Sequence, residues 1–370
     1  HRRRRTAEVR RRTEDQLLEQ LCRATVDCSV DQIGVGGLQV ALSALALGAV
    51  AMLMRDSSWR SALVIGVALA LSSTAVGLQL LSERKELDSE HGRLAFAILL
   101  FQDLAAIPLL AAIPLLGGVA AADGEAQWLA VGKAIAAIVL LVVGGRLLLR
   151  QLFNRIARLD MPEAFTATAL LVVLGSAWLL QNVGLSAGLG AFLAGVILAD
   201  SEFRHELETQ IQPFEGLLLG LFFMAVGMSI DLRAVASEPW PIVSGVLLLM
   251  AIKFAILFGL GKGLGKLDTR GALLLGSVLA LGGEFAFVVF SEADRAGLME
   301  EGQRDRLTAI VGLSMALTPL LVIAISALLK RRRKPHVQAR DFDAIPDDHP
   351  QVLIAGFGRF GQIVARLLFA

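Results

Sequence analysis

The sequence predicts an all-α polytopic membrane protein. Three observations lead there. Of 370 residues, 55% are hydrophobic and 19% are charged, with a mean hydropathy of +0.65. A soluble domain of this length needs more charge to cover its surface. The apolar residues are also gathered into runs of roughly 20, which at about 1.5 Å per residue cross a bilayer core of about 30 Å. Finally, the basic residues cluster between those runs, and the larger clusters fall on alternate connections. A net charge of +1 distributed in this way gives no reason to expect a nucleic-acid partner.

Taken in chain order, residues 1–30 form an atypical basic segment. Arg2–Arg5 and Arg10–Arg12 precede an acidic, helix-prone stretch. This reads as an arm lying beside an anionic leaflet, and no apolar core follows that would make it a secretory signal. Cys22 and Cys28 have neither metal-site company nor a disulfide framework and read as ordinary cytosolic thiols. The transmembrane domain occupies 31–330. Its ten apolar runs are, approximately, 33–54, 60–82, 93–117, 128–149, 163–183, 185–200, 214–230, 240–262, 270–291 and 307–329. The sixth is short and carries Gly188, Gly190 and Gly195, which suits close helix packing.

The basic cluster Lys330–Lys334 after the last run marks the side expected to be cytoplasmic. Counting back from it, the inside connections are 262–270, 201–213, 146–162 and 83–93. The outside connection 118–127 has no Lys or Arg. Residues 331–350, with Pro335, Pro346 and Pro350, read as a linker. From 351 to 370 the pattern is a strand, a glycine turn and the start of a helix. Gly356, Gly358 and Gly361 stand at the G-x-G-x-x-G spacing of a dinucleotide fingerprint, the truncated start of a Rossmann-like α/β domain.

Three charges sit inside apolar runs, where each costs about 2.5–3.5 kcal/mol at the bilayer centre on insertion scales. They are Asp103 in run three, Lys253 in run eight and Glu284 in run nine. Asp103 reads as a cation and proton site: ionised, it binds a monovalent cation, and protonated, it gives the cation up. The alternative reading is a neutralised buried pair with Lys253 that only fixes packing, since runs three and eight are antiparallel and both charges lie near mid-depth. Glu284 suits exposed backbone donors at a helix break. Two runs look broken: run two at Leu71-Ser72-Ser73-Thr74, run nine at Gly282-Gly283-Glu284. Small and polar residues at mid-depth fit unwound backbone lining a cavity. The two runs are seven apart and therefore opposed, as matching members of an inverted repeat are.

Several of these stretches together carry a resemblance. Leu71-Ser-Ser-Thr-Ala, Leu100-Phe-Gln-Asp-Leu-Ala-Ala-Ile-Pro-Leu, the stretch Gly190–Ser201, the stretch Gly216–Ser229 and Gly282-Gly-Glu-Phe-Ala-Phe-Val are similar to the monovalent cation:proton antiporter-2 family, within it to the bacterial glutathione-regulated potassium efflux antiporters. The similarity covers about residues 33–370. It implies a sodium/proton-antiporter-like fold with inverted repeats and two crossing broken helices, in a homodimer of the bacterial inner membrane with a cytoplasmic C-terminus. It implies a secondary transporter, not an enzyme, exporting potassium in exchange for protons. Asp103 matches the ion-binding aspartate, with Gln102 completing the Gln-Asp form that accompanies potassium. Ser73 and Thr74 join them as candidate ion and proton ligands, and Gly282, Gly283 and Glu284 support the break. Lys253 matches the lysine that pairs with the aspartate when no ion is bound.

The resemblance also makes the connection bearing His205, Glu206 and Glu208 a regulatory loop. Gln210 and Gln212 stand where family members carry more acid. Glutathione or its adducts are implied as effectors, and NAD(H) or an AMP-like nucleotide as ligand of the C-terminal domain; the membrane part needs no cofactor. Family members have further membrane helices before the one beginning near Gly34, and residues 1–30 do not resemble them. The remaining alternatives are sodium/proton exchange on the same fold, a ligand-gated channel, a membrane dehydrogenase and an inactive fragment. A potassium filter of the Thr-Val-Gly-Tyr-Gly type is absent from a chain with no Tyr.

Overall fold

The computed structural model describes residues 30–53, 58–117, 127–156, 162–202, 204–229, 239–300, 302–332 and 359–368. The chain divides into two units, His1–Leu329 and Lys330–Ala370. In the second, apart from Lys330–Arg332 at the end of the preceding helix, the described part is one helix, Arg359–Leu368, numbered α13 below. Gly361 lies in its first turn, while Gly356 and Gly358, the expected strand, residues 333–350 of the linker and the N-terminal segment before residue 30 lie outside the described residues; Arg331 and Arg332, expected in the linker, are helical.

Among its described residues the regular secondary structure of the first unit is all α-helix. Its helices are α1 (Val30–Leu53), α2 (Trp59–Ala70), α3 (Thr74–Glu83), α4 (Glu90–Gly117), α5 (Gln127–Ile156), α6 (Pro162–Asn182), α7 (Ala187–Ala199), α8 (Arg204–Ser229), α9 (Pro239–Lys262), α10 (Thr269–Leu279), α11 (Phe285–Arg295) and α12 (Gln303–Arg332). Among the described residues, seven stretches are long and apolar enough to cross a membrane, the paired α2–α3 among them. With the shorter apolar helices Ala187–Ala199, Gly216–Met228 and Thr269–Leu279, they correspond one for one to the ten runs of the sequence.

Runs two and nine are each split in two, as their sequences predict. Ser58 caps α2, accepting from Ser61 N at 3.2 Å, and the helix ends where Leu71 turns extended (φ −68°, ψ 146°). Ser73 then caps α3, accepting from Val76 N at 3.3 Å. A serine hydroxyl that binds a nearby N–H competes with helix continuation, so this pair of serines favours a restart. On the other side Asp268 caps α10 through Gly271 N at 2.6 Å. The helix ends at Leu279, and α11 starts after Gly282, Gly283 and Glu284.

The two broken helices cross in opposed directions, α2 packing on α11 and α3 on α10. α4 touches all four halves, and α9 lies against α10 and α1. The core follows this arrangement. One cluster gathers around α2, α4, α7 and α11 and a second around α3, α4, α9 and α10. α6 closes onto α7 through Gly184, whose φ of +82° suits glycine, with Leu185 N bonding back to Leu180 O at 3.0 Å.

Two connections are shorter than the sequence suggests. The stretch 201–213, expected as a loop, becomes helix at Arg204. Its Arg, Glu, Leu and Gln residues are good helix formers, and Glu206 in the first turn suits the positive end of the helix dipole. Likewise α5 continues to Ile156, carrying Arg146 into an ion pair with Asp200 at 2.7 Å.

Candidate functional site

The two breaks meet at one point, and polar side chains from four further helices converge on it. Each half-helix that ends at a break leaves backbone groups without helical partners. In an apolar surround, every such group needs another partner. Lys253 of α9 supplies two of them. Its ammonium, fully buried, donates to Leu71 O at 2.7 Å and to Leu281 O at 2.6 Å. Those carbonyls lie just past the C-terminal ends of α2 and α10, so the cation also sits at the negative ends of two helix dipoles. Ser72 Oγ ties the breaks together directly, donating to Leu279 O at 2.8 Å.

Asp103 lies on α4 and is half-buried. Its Oδ1 accepts a hydrogen bond from the Thr74 hydroxyl at 3.0 Å. Thr74 is the first residue of α3, so the carboxylate faces the positive end of that half-helix. The two buried charges are thereby sorted, the anion at a helix start and the cation at two helix ends. They are not bonded to each other. The expected Asp103–Lys253 ion pair is not formed, because the ammonium is committed to the two carbonyls. A lysine has three donors and no acceptor, and at this site the orphaned backbone has first claim on them.

The other expected residues divide into groups. Ser73 is fully buried and its hydroxyl serves the α3 cap. Gln102, beside Asp103, turns the other way: its Oε1 accepts from Ser72 N at 2.8 Å and its Nε2 donates to Gln39 Oε1 at 2.6 Å. Gly283 lies directly against the backbone of Ser72, and Gly282 against Val311. Glu284 is half-buried, and its Oε2 is enclosed without a hydrogen-bond partner. It lies within electrostatic range of Asp103. Glu206 and Glu208 are exposed on α8, away from this convergence, and the side chain of His205 lies outside the described residues.

Sequence reasoning missed two contributors. Gln39 of α1 is completely buried and joins the network through Gln102. Ser314 of α12 accepts from Gly282 N at 3.0 Å, supplying the second break. Each is an uncharged polar residue inside an apolar run. Mid-depth polarity without charge was the available signal.

Among the described residues no group of three or more His, Cys, Asp or Glu could hold a metal ion. What the arrangement offers is one partly accessible carboxylate, backbone oxygens and hydroxyls beside it, and a fixed buried cation. Such a set can bind a monovalent cation or a proton at the same oxygen atoms, one excluding the other. The family model described as "Sodium/hydrogen exchanger, transmembrane" matches residues 30–331.

Proposed function

The chain belongs to the sodium/hydrogen exchanger family, and from that premise we propose that it is a potassium:proton antiporter working by alternating access at Asp103. The observation that carries the reading is the Asp103 carboxylate held by Thr74 at the crossing of two broken helices. Ionised, Asp103 takes the cation in place of part of its hydration shell. Protonated, it loses the charge that holds the cation. One carboxylate with two competing ligands couples their movements without a second site. Lys253 keeps the two breaks together while the site changes sides.

The potassium assignment rests on the Gln102-Asp103 pair and on the resemblance that the neighbouring motifs carry. A second reading, sodium for protons, is favoured by the description of the matching family. The glycine fingerprint ending at Gly361 supports gating by a nucleotide-binding domain. The acidic start of α8, with His205, Glu206 and Glu208, is the segment through which glutathione adducts would reach the transport domain. A homodimer in a bacterial inner membrane, with the C-terminus cytoplasmic, completes this reading.

The test is proton flux in proteoliposomes carrying a lumenal pH dye, driven by imposed potassium or sodium gradients. Potassium-driven flux that is lost in Asp103→Asn supports the proposal. Flux that survives the substitution overturns it, and flux driven by sodium alone replaces the ion.

A further inference from the structure

We infer that Gln39, on α1, is a positioning residue of the cation site, acting through Gln102, which grips the backbone of the first break. This rests on the exchange reading above for its function and on geometry for its existence.

The geometry concerns three consecutive residues at the end of α2. Ala70 O accepts from Gln39 Nε2 at 3.2 Å, Leu71 O accepts from Lys253, and Ser72 N donates to Gln102 Oε1 at 2.8 Å. Three helices, α1, α9 and α4, thus each take one backbone group of the unwound segment. Gln102 and Asp103 are adjacent on α4 and grip residues 72 and 74 respectively. This two-point clamp fixes where Thr74 stands relative to the carboxylate. The carboxamide of Gln102 is almost completely buried, and both of its polar atoms are engaged within that clamp.

The direction of the hydrogen bonds is forced from both ends. Ser72 N–H can only donate, so the atom of Gln102 facing it is the oxygen. Gln102 therefore presents its NH2 to Gln39, which must answer with its own oxygen. That leaves the NH2 of Gln39 for Ala70 O, which can only accept, and for Ser43 Oγ at 3.0 Å. Each amide has one consistent orientation, and both donors of Gln39 are used. Without Gln39 the Gln102 NH2 loses its partner in a buried apolar setting, and the amide is free to turn away from Ser72.

The function of such a brace is to hold ligand geometry, so its loss acts on cation affinity before turnover. In flux assays on the full chain, Gln39→Leu, which keeps the volume, is expected to raise the apparent KM for the cation by about tenfold or more with a smaller change in kcat. Gln102→Leu gives a shift at least as large, and the double variant falls short of the two effects combined, since both remove the shared Gln39–Gln102 link. Gln39→Glu retains the acceptor but, when ionised, turns a charge toward Ala70 O. Its exchange therefore falls as pH rises, beyond any fall in the wild type, and approaches wild type at low pH, where the protonated acid donates again. A purely structural residue would lower abundance and leave KM and the pH profile alone.

Melting of the wild type, the two single Leu variants and their double in detergent tests the brace independently of transport. Non-additive losses are expected. Additive losses, or a Gln39→Leu protein with unchanged KM beside an Asp103-dependent wild type, overturn the inference. A wild type without Asp103-dependent flux sinks the exchange reading instead and leaves the melting cycle to decide the brace.

Discussion

Gly283 and Ser72 touch backbone to backbone at the crossing of the broken helices. A methyl group on Gly283 would lie 3.0 Å from both the carbonyl carbon and the oxygen of Ser72. The neighbour is main chain and cannot turn aside. Gly283→Ala is expected to push the breaks apart, costing about 1–3 kcal/mol as an overpacked core does, and to cut exchange at least tenfold. Gly282 differs, because its methyl would meet the Val311 side chain at 2.9 Å. Val311→Ala should therefore restore much of the flux lost in Gly282→Ala and none of that lost in Gly283→Ala. Equal rescue of both would refute the contact assignment.

Lys253 joins the two breaks through carbonyls 2.7 and 2.6 Å from its ammonium. Lys253→Met fills similar space and leaves two buried oxygens unpaired, at roughly 1–3 kcal/mol each. The melting temperature in detergent should drop by several degrees and exchange should be lost. Arginine should not substitute, since its planar fork cannot place two donors on carbonyls that suit a point ammonium. A Met variant that melts with the wild type would remove the bridging role.

Thr74 holds Asp103 through one hydroxyl at 3.0 Å. A hydrogen bond to a charged group contributes about 1.5–3 kcal/mol, and about 1.4 kcal/mol is tenfold in affinity. Thr74→Val should raise the apparent KM for the cation by roughly ten- to a hundredfold, while Thr74→Ser stays near wild type. Concentration series in the flux assay separate the two, and a Val variant with wild-type KM would count against the contact.

Glu284 carries a buried oxygen with no partner. Such an atom costs stability unless function retains it. Glu284→Gln removes the charge at almost equal volume. The expected outcome is a protein that melts at a higher temperature and exchanges more slowly. A variant that is both less stable and fully active would mean that the carboxylate has only a structural task.

Much of this was readable in the sequence, for identifiable reasons. Length and hydropathy are properties of single segments, so the ten runs emerged directly. Asp103 stood out because a charge inside an apolar run has few explanations. The serine pair and the glycine pair marked the breaks because their effect on the backbone is local. The partners were not readable. Lys253 looked like the mate of Asp103 because both are charged, yet its partners are two peptide carbonyls that carry no mark in the sequence. Gln39 and Ser314 carry no mark of their partners in the sequence either, because their importance lies in which orphaned backbone group they reach. The polar stretch before Pro213 read as a loop because polarity was weighed above the helix-forming quality of its Glu, Leu and Gln residues.

The clamp on the first break also has an order in time. Gln102 lies only 30 residues beyond Ser72, whereas Lys253 lies 182 beyond Leu71. At about 5–20 residues per second of synthesis, the first partner follows in roughly 2–6 s and the second in roughly 10–35 s. The amide of the break is thus covered as soon as α4 enters the bilayer, while Leu71 O waits for α9. During that interval Leu71 O lacks the Lys253 donor that it has in the complete structure. A chain ending before Lys253 therefore leaves the first break without the donor that joins it to the second.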